Sequence, residues 1–172
     1  MAVQKVIEVR NNLFGNFDLL AEDRTTSSVT AAMNPGEPVK RAGTGTNFVA
    51  PLATGDPEIG TDLFVGIVSK QSTETSTADG RVNVALVGLG SLLRGHATTP
   101  SNMDTQAELD GLMLDFVAFD VTALTGTNGD FTIDEDEGTD PNVHGLMIIG
   151  GDIEAGLLDV VVTGGTIFES TV

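Results

Sequence analysis

The densest group of side chains able to do chemistry is an acidic stretch at residues 130–140. Hard cations such as Ca²⁺ bind where several oxygen ligands converge on one point. An EF-hand loop counted from Asp134 fails, because its sixth position is Thr139 and its twelfth is Gly145. A solvated loop is therefore the simpler interpretation. The stretch retains four weak Ca²⁺ candidates, which are Asp130, Asp134, Asp136 and Asp140.

The other groups that commonly catalyse reactions are sparse. The two histidines, His96 and His144, stand far apart beside glycines, whereas a catalytic zinc needs three protein ligands. There is no cysteine, and Ser91 lacks the Gly-x-Ser-x-Gly spacing of an activated serine. Residues 43–46 lack the Gly-Lys-Ser/Thr ending of a phosphate-binding loop. These patterns predict no nucleophile, no zinc site and no phosphate loop.

A carbohydrate-active enzyme is the remaining catalytic alternative, since a glycosidase needs only two carboxylates flanking the bond. Sugar sites usually also supply aromatic platforms, and this chain has no Trp and no Tyr. We therefore predict that the protein is not an enzyme, has no catalytic residues and uses no cofactor. A binding or structural role fits the composition better.

Charge is distributed unevenly along the chain. Residues 1–94 hold all eight Lys and Arg residues beside ten acids, a net charge of -2, whereas residues 95–172 hold fifteen acids and no Lys or Arg. Such a surface cannot neutralise phosphates, so we predict no direct nucleic-acid partner and no membrane partner. A halophile's surface would also be acidic, but it would not confine the cations to one half. The chain shows neither a signal-peptide pattern nor a run of eighteen apolar residues.

Residues 1–35 are predicted to form an N-terminal arm. Short apolar groups alternate with a polar stretch, Ala21 to Asn34, that has no firm periodicity. Such segments are often extended unless another surface orders them. A first strand of the main domain is an equally good interpretation. On the arm interpretation, the candidates for contact with a partner are Val3, Val6, Ile7, Phe14 and Phe17.

Residues 36–172 are predicted to form one β-barrel or β-sandwich domain. Leu63–Val68 is a compact apolar run, typical of a strand buried on both faces, and it forms a long-looped hairpin with the alternating run Arg81–Val87. Pro38 indicates an edge strand. Further strands are predicted at Leu112–Val121, Asp130–Ile133, Val143–Ile149 and Leu157–Thr163.

One short helix is predicted at residues 102–110. Ser101 precedes Asp104 by three residues and Thr105 precedes Glu108 by three, the spacing of capping boxes, and Gly111 is placed to end the helix. The predicted fold class is thus mainly β: a compact β-barrel or β-sandwich with one short helix and an extended N-terminal arm. Many strand edges in a small domain favour an oligomer, because pairing between subunits covers them.

Three groups of short motifs follow one another along residues 36–168. They are Gly36–Lys40 with Ala50–Pro57, Phe64–Val68 and Gly80–Leu86; then Thr105–Gly111 with Leu114–Asp120; then Phe131–Asp134 with Asp140–Leu146 and Gly150–Asp152. In this order they resemble the decoration, or cement, proteins of tailed-bacteriophage heads. Each motif alone is a generic β-turn-β signature, so the order carries most of the resemblance.

The resemblance implies a structural protein on the capsid exterior of the virion, usually a homotrimer. Its partners would be the major capsid protein, whose adjacent subunits it clamps together, and further copies of itself. It implies no cofactor and assigns no contact residue. The alternative from the residues themselves is a Ca²⁺-dependent extracellular adhesive or surface-layer β-domain that uses residues 130–140.

Overall fold

The protein is mainly β, as the sequence predicts. The computed structural model describes residues 5–11, 18–23, 33–41, 48–52, 64–71, 80–122, 130–137 and 145–164. Within these ranges lie one α-helix, α1 (Gln106–Leu112), one turn of 3₁₀ helix (Pro100–Asn102) and eleven strands. The strands are β1 (Glu8–Asn11), β2 (Asp18–Asp23), β3 (Pro38–Arg41), β4 (Phe48–Pro51), β5 (Phe64–Lys70), β6 (Gly80–Leu86), β7 (Leu92–His96), β8 (Phe116–Val121), β9 (Phe131–Asp134), β10 (Leu146–Asp152) and β11 (Leu157–Val162).

Six strands form one sheet in the order β1-β7-β11-β10-β8-β9, with antiparallel neighbours. The sheet curls until its two edges meet. The N–H of Phe131 in β9 donates to the carbonyl of Lys5, just before β1, over 3.2 Å. The N–H of Thr98, just after β7, donates to the carbonyl of Ile133 over 2.9 Å. These contacts cover backbone groups that an open sheet would expose at its edges.

The other five strands form a closed barrel in the order β2-β4-β3-β5-β6. Strand β2 closes it by pairing antiparallel with β6 and parallel with β4. The prediction that Pro38 marks an edge strand is wrong, because β3 has a partner on both sides. Pro38 is the first residue of that strand, a position at which proline is tolerated because the ladder does not depend on its missing N–H.

The barrel is inserted into the sheet, because β2 to β6 lie between β1 and β7 in sequence. Asn11 of β1 and Leu92 of β7 are nevertheless register partners. The two ends of the inserted segment therefore leave and re-enter the sheet at neighbouring positions.

One hydrophobic core spans the sheet and one wall of the barrel. Strand β5 is buried on both faces, as predicted: Phe64 and Ile67 belong to the shared core, whereas Val65 and Val68 belong to a second cluster within the barrel. The ring of Phe64 packs against that of Phe119 with centroids 5.4 Å apart. Each fully buried side chain of this size contributes about 1.5–3 kcal/mol through burial, so the two sheets stabilise each other.

Residues 1–35 contain two described strands, and both are paired, as in the second of the two interpretations of this segment. Strand β1 pairs with β7, and β2 pairs with β4 and β6. Ile7 is 2% exposed and belongs to the shared core. Residues 5–11 and 18–23 are therefore integral to the sheet and to the barrel, respectively. Both strands pair with strands that lie beyond the predicted boundary at residue 35.

The helix starts later than predicted and uses only the second capping signal. Thr105 caps α1 with a complete capping box. Its side-chain hydroxyl accepts the N–H of Glu108, and the carboxylate of Glu108 accepts the N–H of Thr105. Residues near Ser101 form the 3₁₀ turn instead, and Gly111 lies inside α1 rather than ending it. Neither helix of the described ranges is long and apolar enough to cross a membrane.

Candidate interaction surface

The outer face of the six-stranded sheet carries a row of apolar side chains, one from each of four neighbouring strands. Register pairs place Leu92 of β7 beside Val161 of β11, Val161 beside Met147 of β10, and Met147 beside Phe116 of β8. All four are partly exposed, whereas the residues on either side of each within the strands are fully buried. Since side chains alternate along a strand, these four point away from the core. We call them the apolar row.

Leu114 lies at the end of the apolar row, where the chain passes from α1 to β8. Its N–H donates to the carbonyl of Ile148 over 2.9 Å, and the N–H of Ile148 donates to the carbonyl of Asp115 over 3.0 Å. Leu114 has a φ of 72° and is 62% exposed. A left-handed backbone costs a residue with a β-carbon about 1–2 kcal/mol. The fold therefore holds an apolar side chain in solvent at a conformational cost.

The charges beside the apolar row are mostly negative. On β7 and β11, Arg94 and Asp159 form a two-point ion pair, with Nε 2.6 Å from one carboxylate oxygen. The hydrogen bonds that Arg94 donates to the carboxylate of Asp159 raise the pKa of Arg94, and the negative charges of Asp159, Asp152 and Glu8 raise it further. Asp115, next to Leu114, is exposed. Carboxylates thus surround the one cation of these two strands and extend along the margin of the row.

One end of the molecule is strongly acidic. It contains α1, the turn between β10 and β11, and the residues that follow β9. The exposed acids of this end are Asp104, Glu108, Asp110, Asp136, Glu137, Asp152 and Glu154. Because no Lys or Arg follows Arg94 in the sequence, none of these described elements contains a Lys or Arg. The charge asymmetry of the sequence is therefore also an asymmetry in space.

Glu135 is the buried acid of this end and orders the loop after β7. It is 5% exposed, and its carboxylate accepts the N–H of Thr98 over 3.1 Å and that of Thr99 over 3.0 Å. Asn102 donates to it from the 3₁₀ turn over 3.3 Å. Burial raises the pKa of Glu135, although the backbone donors oppose the shift. The side chain thus fixes the approach to α1 while carrying a desolvated charge.

Glu135→Gln is expected to flatten the dependence of stability on pH. The folded pKa of Glu135 lies above its ordinary value of 4.5, so the folded state binds the proton more readily than the unfolded chain. Its contribution to the free energy of unfolding therefore rises as pH falls through that folded pKa and is lost again above it. Urea denaturation at a series of pH values should show a shallower slope for the variant.

The control for this effect is Glu137→Gln, which removes the same charge from an exposed side chain two residues away. Both variants remove one negative charge, so a difference between their slopes reflects the burial of Glu135 and not the lost charge alone. Equal slopes for the two variants would show that Glu135 does not titrate as a buried group.

The structure separates the Ca²⁺ candidates from one another. Asp130 accepts the N–H of Lys5 over 3.0 Å, Asp134 accepts the N–H of Asp136, and Asp136 accepts an amide N–H of Asn102 over 2.7 Å. Asp130 and Asp134 lie at opposite ends of a strand, about 13 Å apart at the usual rise per residue. Across the described part of the chain, no three His, Cys, Asp or Glu side chains are grouped to hold a metal ion. Asp140 lies outside the described residues.

Of the five predicted partner contacts, Val6 and Ile7 lie among the described residues. Ile7 is in the core, so it is not available to a partner in this fold. Val6 is half-buried and packs on Gly36, where a β-carbon would lie 2.4 Å from that of Val6.

Val3, Phe14 and Phe17 lie outside the described residues, as does His144. His96 is half-buried on the outer face of β7, opposite Leu157.

Sequence reasoning missed the apolar row and Leu114, although a signal for the row exists. Strands with one solvated face usually alternate apolar and polar residues, whereas Leu146–Ile149 and Val160–Val162 are continuously apolar. Such runs indicate strands covered on both faces. No family model matches the chain, and no curated protein matches it.

Proposed function

We propose that this protein decorates the outside of a tailed-bacteriophage head and clamps adjacent subunits of the major capsid protein. In this role it acts as a homotrimer on the capsid exterior of the virion, without turnover or a cofactor. The order of the β motifs along residues 36–168 is what directs the proposal to this class of protein.

The observation that carries a docking role is the apolar row, which has exposed acids at its margin. Monomeric soluble proteins rarely leave connected apolar side chains exposed over several strands, and such patches usually mark interaction sites. The closed edges of both sheets support the same role, because a protein under mechanical load benefits from strands that do not open at an edge.

The binding mechanism follows from mass action. A protein that binds the assembled shell but not its dissociated subunits stabilises the shell by an amount that grows with its concentration above Kd. A trimer multiplies modest contacts, because binding of one subunit raises the effective concentration of the other two. The individual contact surface of one copy can therefore be small.

The test uses heads assembled from the major capsid protein encoded in the same genome. Purified protein is sedimented with mature expanded heads and, as the control, with unassembled capsid subunits. The proposal expects saturable co-sedimentation with heads alone and a rise in the melting temperature of the heads. Absence of co-sedimentation with mature heads would overturn it, and sedimentation equilibrium of the free protein measures the trimer directly.

The Ca²⁺-dependent adhesive domain has no observation in its favour among the described residues, since no three acids there are grouped to hold a metal ion. The carboxylates of Asp130, Asp134 and Asp136 accept protein N–H groups instead. Calorimetry with Ca²⁺ separates the two functions. A stoichiometric heat and a large rise in melting temperature would favour the adhesive domain over the head-binding protein.

A further inference from the structure

The outer face of the six-stranded sheet is more apolar than a solvated face requires. In β10, Leu146 and Ile148 fill the core, and Met147 between them faces outward. In β11, Val160 and Val162 do the same around Val161. The fold uses only the inward residues of these runs. The outward ones are partly exposed, so the described part of the chain leaves them without a full covering.

Leu114 adds an independent reason to expect a partner at this face. Exposed left-handed residues are usually Gly or Asn, because the β-carbon of any other residue is strained there. Strained conformations that persist tend to lie at functional sites. The two backbone bonds with Ile148 continue the register of β8 and β10, which brings Leu114 to the end of the apolar row.

Charge identifies the chemistry of the covering surface. Arg94 already faces Asp159, and Arg10 on β1 lies 3.4 Å from Glu8. Beyond these pairs, Asp115 and Asp152 are exposed at the margin. A partner surface with acids at the same positions would be repelled, whereas one with Lys or Arg would be attracted and oriented.

We propose that the apolar row and Leu114 form the docking face of this protein, and that the face fits a protein surface with an apolar centre and a rim of Lys or Arg. The inference rests on the proposed function, in which that surface belongs to the capsid shell. It replaces the N-terminal segment as the capsid-facing element. Leu114 acts as the protruding anchor, the row as the apolar platform, and the acids as the charged margin.

Variants at the anchor and at the margin test the face. Leu114→Gly removes the anchor and relieves the left-handed strain, so the variant should remain folded, and its affinity for mature heads should fall about tenfold or more, as for an interface anchor. Asp115→Lys should weaken binding through like-charge repulsion. Glu137→Lys is the matched control, because it makes the same charge change at an exposed position outside the face.

A second probe does not depend on heads. Octyltrimethylammonium and octyl sulfate, each below its critical micelle concentration, carry the same apolar chain with opposite charge. We expect the cation alone to shift the amide resonances of Leu92, Phe116, Leu114, Met147 and Val161 saturably.

The outcomes separate the two proposals. If wild-type protein binds heads and the Leu114 and Asp115 variants bind equally well, the docking face is wrong and the function stands. If wild-type protein does not bind heads, the function fails, and the two amphiphiles still decide the chemistry of the face. Equal binding of both amphiphiles, or shifts confined to other residues, would overturn the docking face.

Discussion

Ile7→Ala should lower the free energy of unfolding by about 2–5 kcal/mol, the usual cost of truncating a buried isoleucine. Ile7 is 2% exposed, and its N–H donates to the carbonyl of Gly36 over 3.2 Å. Its Cδ1 atom occupies the space beside Gly95, 2.5 Å from where a β-carbon would lie. Removing three carbons from this position leaves a cavity between the sheet and the base of the barrel. Urea denaturation measures the loss.

Arg10→Ala is the matched control in the same strand. Arg10 is exposed, and its ion pair with Glu8 is a surface pair, which typically contributes between about 0 and 1 kcal/mol. The arm hypothesis makes the opposite prediction for Ile7, namely weaker head binding with unchanged stability. If Ile7→Ala keeps wild-type stability but loses binding to heads, the segment is an arm after all, and its position in the core is wrong.

The loss of folding stability also determines how a deletion of the N-terminal segment is to be interpreted. Removal of residues 2–20 would delete β1 and half of β2, which together close the curled sheet and the barrel. A loss of head binding in such a deletion therefore reports unfolding rather than a lost contact. Point variants on the outer face avoid this ambiguity, because Leu114 is exposed and contributes no buried area to the core.

Patterns of a few neighbouring residues predicted those helices and strands that such patterns suffice to specify. The capping box at Thr105, the doubly buried run at β5 and the apolar runs of β10 and β11 all lie within a few residues of where they were expected. Strand β7 was missed, because Arg94, Gly95 and His96 break the apolar pattern. Gly95 fits there because Ile7, far away in sequence, fills the space that a side chain would need.

The topology could not be predicted, because it depends on pairs far apart in the chain. The register of Asn11 with Leu92 inserts a whole barrel between two adjacent strands. No local pattern distinguishes this arrangement from an N-terminal arm followed by one domain, since both contain the same strands in the same order. The entropy of closing such a long loop is repaid only by the completed core that β1 and β7 share.

The apolar row could not be predicted from the sequence either, because it too depends on pairing between distant strands. Each member of the apolar row appears in the sequence as one residue of an apolar run, and only the register places the four side chains beside one another. Leu114 was predicted to lie within a strand from Leu112 to Val121. The helix instead extends to Leu112, so the chain must turn sharply before β8, and Leu114 takes the left-handed conformation at that turn.

Gly66→Ala should destabilise the barrel by about 3 kcal/mol, at the upper end of the cost of overpacking. A β-carbon at Gly66 would lie 2.1 Å from the carbonyl oxygen of Ala85 and 3.0 Å from a methyl group of Val84. The carbonyl belongs to the backbone of β6, so it cannot rotate away as a side chain would. Strand β5 is held between β3 and β6, and relief of the clash must therefore open the ladder on one side.

Gly111→Ala makes the same chemical change with the opposite expected sign. Nothing lies within 4 Å of a β-carbon at Gly111, which is inside α1, and replacing a helical glycine by alanine gains about 0.5–1 kcal/mol. Because Phe64 joins the barrel to the sheet core, loss of the barrel in Gly66→Ala should lower the stability of both in one transition. If the two alanine variants have equal unfolding free energies, the close approach of β5 and β6 at Gly66 is wrong. If only the barrel unfolds at lower urea, the contact of Phe64 with Phe119 does not couple the two sheets.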